Sequence, residues 1–180
     1  MIELYINDLI KWNPGQEDEY TERILWIDPD NLFLFVINVE VAEGLPLEKH
    51  FNEIICALEK GQAVKLDEDP FIRIINEKDI KEKDKIIRDL AWNIISDIID
   101  LDNEPFIYFR NRRGPLISKS AKEYDVTVTT VYKYLRRYWQ RGKNKNALLP
   151  DYCNSGGKGK NKKLGEKKLD VLEKTRKLLG

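Results

Sequence analysis

The apolar residues of this 180-residue chain lie in strand-like runs at first and, from residue 79, fall mainly into three- and four-residue steps. That change limits the folds open to it. Ile24–Ile27 and Leu32–Val41 are apolar runs on either side of Asp28-Pro29-Asp30-Asn31. Proline presets φ for a turn and Asp or Asn side chains close it, so the two runs read as the strands of a hairpin. LPLEKHFNEIICALEKG then has helical spacing, with Leu47, Phe51, Ile54, Ile55 and Leu58 on one stripe and Gly61 as the stop. FIRII, residues 71–75, reads as a further strand. The acidic cluster Asp67-Glu68-Asp69, followed by Pro70, reads as a solvated turn. The only histidine, His50, lies beside the apolar stripe and reads as structural.

From Asp79 the pattern is helical: Ile80, Ile87, Leu90, Ala91, Ile94, Ile98 and Ile99 form one face, broken by Asp102-Asn103-Glu104-Pro105. A Gly-Pro turn at 114–115 precedes a shorter helix, whose inward side carries Leu116, Ile117, Ala121 and Tyr124. The next stretch, KEYDVTVTTVYKYLRRYWQRG (122–142), alternates like a strand yet also carries helical spacing. With Val131 at zero on a helical wheel, Leu135 falls at about 40°, Tyr138 at about −20° and Val128 at about 60°. Thr129, Lys133, Arg136 and Gln140 gather on the opposite side, at about 140° to 200°. A strand would bury Lys133 beside Val131, and an unpaired buried charge is expensive. The helix is therefore expected, with Thr127 as N-cap and Gly142 as stop. A short helix, a tight turn at Asp125-Val126 and a longer basic helix make a helix-turn-helix, with the 80–100 helix as third packing partner. Ala121 marks the close approach of the two helices, and Tyr124 or Asp125 takes the strained turn conformation, which Asp tolerates better.

Net charge is zero overall but split. Residues 1–104 hold 11 Lys and Arg against 25 Asp and Glu, a net of −14, and the remainder is +14. Such a split implies two modules with different partners. Cys56 and Cys153 are far apart and make no metal-site spacing, and the N-terminus has no signal-peptide pattern. No apolar run nears the ~20 residues of a membrane span. A cytoplasmic, nucleoid-associated location is expected. The fold class expected is α+β: a β-rich module of hairpin plus helix (1–77), an all-α helix-turn-helix domain (78–148) and a flexible basic linker (149–163). Residues 164–180 begin a further helix that ends without a partner, as if the chain were cut from something longer.

A basic helix of this kind suits a DNA major groove, where Arg and Lys match guanine acceptors and a Thr methyl matches thymine. The candidate base readers are Thr129, Thr130, Tyr132, Lys133 and Arg136. Candidate phosphate contacts are Arg110, Arg112 and Arg113 in FRNRRG, Lys119, Thr127, Arg137, Arg141, Lys143 and Lys145. Lys158, Lys160, Lys162 and Lys163 extend them into the Gly-, Asn- and Lys-rich linker. Ser155–Lys160 lacks the spacing of a phosphate-binding loop. Two other readings stand beside this one: a transcriptional regulator with an acidic sensor module, and a nuclease with its site in the acidic half. The second would need carboxylates converging with a Lys or His.

The segment from Phe106 to Lys163 resembles the N-terminal DNA-binding region of TnsB-type transposases, relatives of the phage Mu transposase and of retroviral integrases. The residues that carry the likeness are YFRNRRG, TTVYKYLRRYWQRG and above all NALLPDY with the Ser-Gly-Gly-Lys-Gly-Lys stretch; ERILWID near residue 25 looks like a motif of the same family's first domain. The resemblance implies recognition of repeated sites at transposon ends. It implies a parent protein that cuts and joins DNA through a ribonuclease-H-like domain with three acidic residues binding Mg²⁺. That domain would follow residue 180, so no catalytic residue and no cofactor is expected here. It also implies TnsA- and TnsC-type partner subunits, and a second DNA-binding domain opening in 164–180.

Overall fold

The structure is a computed structural model that describes residues 2–151; the linker beyond 151 and the expected last helix lie outside the described residues. Five antiparallel strands form one sheet: β1 (Leu9–Trp12), β2 (Tyr20–Ile27), β3 (Phe33–Asn38), β4 (Leu47–His50) and β5 (Ala63–Lys65), in the order β4-β3-β2-β1-β5. The hairpin expected from Asp28-Pro29-Asp30-Asn31 is β2–β3, closed by Asn31 N–H donating to Asp28 O at 2.8 Å.

Both faces of this sheet are covered, which explains why β3 reads as a continuous apolar run rather than an alternating one. Leu34 and Val36 point to one core, with Ile10, Trp12, Ile24 and α1 (Phe51–Glu59). Phe35 and Ile37, on the other face, join Leu25 in a second core built by the helices. Those helices are α2 (Glu82–Ser96), α3 (Arg110–Glu123) and α4 (Val128–Gln140). The layout is α+β, and the sheet forms one wall of the helical core.

Several local expectations need correction. Leu47 belongs to β4, paired with Val36 and exposed, so the helical stripe starts only at Phe51. Gly61 does stop α1, at φ +68°, with Gly61 N–H donating to Leu58 O and Gln62 N–H to Ala57 O. His50 is the exposed end of β4 rather than a packed residue of the helix. Residues 71–75 form no strand: the Phe71 and Ile72 amides donate to Asp69 Oδ1, and Ile74 is 85% exposed. Asp69 is accordingly not a solvated turn residue, because it also holds Arg23. Gly114-Pro115 lies inside α3. Proline removes only the bond to the carbonyl of Asn111, an exposed first-turn residue, so the helix absorbs it.

Candidate nucleic-acid interface

α3 ends in a left-handed turn. Asp125 takes φ +50°, Val126 N–H donates to Ala121 O at 3.0 Å, and Asp125 N–H reaches Lys122 O at 3.4 Å. Thr127 then caps α4: its Oγ1 accepts from Thr130 N–H at 3.1 Å and lies 2.9 Å from Thr130 Oγ1. Two helices joined by so short a turn must cross at a steep angle, and Ala121, 6% exposed, allows the approach. Val131, Leu135, Tyr138 and Trp139 are buried against α2 and α3, with Trp92 edge-on to Tyr138 at 6.1 Å. Burial and the charge of Glu104 push the Tyr138 phenol up to about 12. Val128, expected on the packed side, is instead 45% exposed in the first turn. Trp139 was legible, since eight residues beyond Val131 place it at about 80° on the apolar side.

The far end of α4 is fastened to the sheet. Gly142 takes φ +91° and lets Lys143 N–H donate to Tyr138 O. Gln140, expected on the solvent face, donates from Nε2 to Asn38 O (2.9 Å) and Val41 O (2.8 Å). Its own carbonyl accepts from Nε and Nη2 of Arg23, each at 3.2 Å. Arg23 had a signal in the sequence, the one cation within a strand otherwise due for burial, and DED at 67–69 offered its partner.

Among the expected base readers, Thr129 and Lys133 are exposed side by side on the outer face of α4. Arg136 is half-buried, has no ion pair among the described residues, and its Nε is buried without a hydrogen-bond partner. Tyr132 is half-buried, with the guanidinium groups of Arg113 and Arg136 over its ring. The Thr130 hydroxyl is spent on the Thr127 cap. The outward face is thus Thr129, Lys133 and Arg136.

The expected phosphate contacts divide in two. Arg110, Arg112 and Lys119 are exposed along α3 and make no ion pair among the described residues. Thr127 is exposed beside them at the start of α4. Five other cations have partners in the fold. Arg113 is 1% exposed and donates from Nη1 to Ile107 O and Tyr108 O, both at 3.0 Å. Lys143 Nζ sits 2.6 Å from Glu104 Oε1 and 3.2 Å from Leu25 O. Arg141 and Arg137 turn to Asp151, at 2.5 and 3.7 Å, and Arg73 joins the same carboxylate. Burial lowers the pKa of the Arg137 guanidinium, and the like charge of Arg141 adds to the effect. Lys145 reaches Asp89 at 3.1 Å on the surface. Arg113, Arg141 and Lys143 are therefore corrected from outward clamps to internal contacts. A sequence cannot show which of two neighbouring basic residues finds an acid across the fold. Lys158, Lys160, Lys162 and Lys163 lie outside the described residues. Among the described residues, no helix is long and apolar enough to cross a membrane, and no group of three or more His, Cys, Asp and Glu is placed to hold a metal ion.

Residues 3–70 match the TnsB N-terminal SH3-like domain, and residues 88–152 match the TnsB second domain. The chain is also 31% identical over 156 residues to the transposon Tn7 transposition protein TnsB of Escherichia coli. That alignment takes in 86% of this chain and 20% of that protein, so the chain spans about a fifth of the length of this relative.

Proposed function

The chain belongs to the TnsB family, with its N-terminal SH3-like and second domains, and we propose from this that it binds double-stranded DNA at the repeats of transposon ends. The observation that carries the reading is the split among the cations. The inward ones are held within the fold, by carboxylates or, for Arg113, by backbone carbonyls, while Lys133 and Arg136 on α4 and Arg110, Arg112 and Lys119 on α3 have no ion pair among the described residues. Leaving these five unpaired fits a surface whose counter-ions are phosphates. In this reading α4 lies in the major groove, Thr129, Lys133 and Arg136 meet base edges, and α3 tracks the backbone with help from the lysines at 158–163.

The larger protein would be a Mg²⁺-dependent transposase that cuts and joins DNA. Its catalytic carboxylates would lie outside these 180 residues, and TnsA- and TnsC-type subunits would be its partners in the cell's cytoplasm. The acidic first module serves here as a brace for α4. A transcriptional regulator with the same helix-turn-helix would share the DNA contacts but not the target.

The test is a fluorescence anisotropy titration of labelled transposon-end duplex at several salt concentrations, beside a scrambled duplex. Five or six phosphate contacts give a log–log slope near −5, at about −0.9 per contact. A flat salt response, or equal affinity for both duplexes, would sink the proposal. Arg136→Ala should weaken the end duplex by about 1–3 kcal/mol and the scrambled one much less.

A further inference from the structure

The ring of Tyr132 carries two guanidinium groups: Arg136 Cζ lies 5.5 Å from its centroid and Arg113 Cζ 5.8 Å. Tyr132 and Arg136 are four residues apart on α4, the spacing at which helical side chains meet. Arg113 comes from α3 and is anchored: it is 1% exposed, Nη1 is held by two carbonyls, and its Cζ also lies 5.8 Å from the buried Trp139 ring. Among the described residues no carboxylate pairs with Arg113, so its buried charge is met by carbonyl oxygens and aromatic faces alone. A fixed cation thus orders the Tyr132 ring, and the ring in turn orders Arg136.

The Arg136 Nε is buried and unpartnered, which leaves the terminal amino groups as the part of that side chain able to donate outward. A free arginine loses much rotamer entropy when it docks, whereas one already stacked has lost most of it. A preset guanidinium fork matches the paired O6 and N7 acceptors of guanine in the major groove.

Resting on the DNA-binding reading above, we infer that Arg136 reads a guanine and that Tyr132, backed by Arg113, is a positioning residue rather than a base reader. Two substitutions separate the roles. Tyr132→Phe keeps the ring and removes the hydroxyl, and Tyr132→Leu removes the ring.

Without DNA, the Arg136 Nε–Hε resonance should lie upfield of those of exposed Arg110 and Arg112, by the ring current. It should stay there in Tyr132→Phe and move to the Arg112 position in Tyr132→Leu. On transposon-end duplexes substituted one base pair at a time, the wild type should prefer guanine at one position, and Arg136→Met should abolish that preference. Tyr132→Phe should retain it, and Tyr132→Leu should lose it by roughly tenfold. In an Arg136→Met background Tyr132→Leu should cause no further loss, because the two act as one unit.

An unshifted Arg136 resonance in the wild type overturns the inference. So does a Tyr132→Phe chain that loses the preference as fully as Tyr132→Leu, since the hydroxyl would then be the reader. Both results leave DNA binding itself intact. A wild-type chain with a shifted resonance but no preference among duplexes removes the functional reading and the guanine assignment together.

Discussion

Arg23 and Asp69, 46 residues apart, meet in a two-point ion pair, Nη1 to Oδ2 at 2.6 Å and Nη2 to Oδ1 at 3.0 Å. The guanidinium is wholly buried and the carboxylate 22% exposed. Since Arg23 also donates to Gln140 O and to Asn7 O, one side chain joins β2, the segment after β5 and the end of α4. Removing only the acid leaves a buried charge with carbonyls for company. Asp69→Ala should cost about 3–5 kcal/mol, read as a lower urea midpoint. Asp69→Asn, which keeps an acceptor, should cost less.

The same pair has a pH signature. Burial alone would raise the Asp69 carboxyl, but the hydrogen bonds and charge of Arg23, with the Phe71 and Ile72 amides, hold it below the ordinary value. Asp151 is likewise lowered: burial opposes, and Arg141 leads Arg73 and Arg137 in outweighing it. A carboxylate with a depressed folded pKa contributes stability that is present above its unfolded value, about 3.9, and that is lost as pH falls through the folded value. Urea midpoints should therefore be flat from pH 7 to about 5 and fall below about 4. Asp69→Asn should shrink that acid limb.

Lys143 separates the cations paired inside the fold from those left unpaired on the outer face. Its ammonium and the Glu104 carboxylate are 12% and 9% exposed, and Glu104 also accepts from Tyr108 Oη at 2.7 Å. Burial raises the Tyr108 pKa, with the charge of Glu104 adding to it, so the phenol stays protonated as donor. Lys143→Ala should lower stability by about 3 kcal/mol and leave the salt slope of DNA binding unchanged. Arg112→Ala should do the reverse, with thermal stability kept and the slope reduced by about 0.9.

Gly142 should resist substitution for two reasons. Its φ of +91° is one that L residues rarely adopt, and a Cβ there would lie 2.9 Å from Ile72 Cγ1. Gly142→Ala should cost about 1–2 kcal/mol or more, measured by thermal unfolding. Adding Ile72→Ala should relieve the contact but not the backbone, so recovery should be partial.

Local chemistry made much of α4 legible: Thr127 before a run with Val131 and Leu135 on one side could cap and pack in one way only. Asp125 as the strained turn residue followed from the same logic. The sheet was harder. β1, β4 and β5 have three or four residues each and owe their existence to neighbours in space, which periodicity does not register. FIRII misled because its letters suit a strand, while Asp69 had already taken the first two amides. The interface list erred through pairing at a distance: Glu104 and Asp151 decide which cations remain outward, 39 residues from Lys143 in the first case.

α4 is held at both ends, by the turn whose Val126 N–H donates to Ala121 O of α3 and by Gln140 on the β3–β4 connection. Each added helical residue turns the chain by about 100° and advances it 1.5 Å. A single insertion between Lys133 and Leu135 would swing Gln140 away from the Asn38 and Val41 carbonyls, or else swing Lys133 off the outer face. The helix is therefore a spacer of fixed count, and the angle between what it touches and the sheet behind it is written into the number of residues from Thr127 to Gln140.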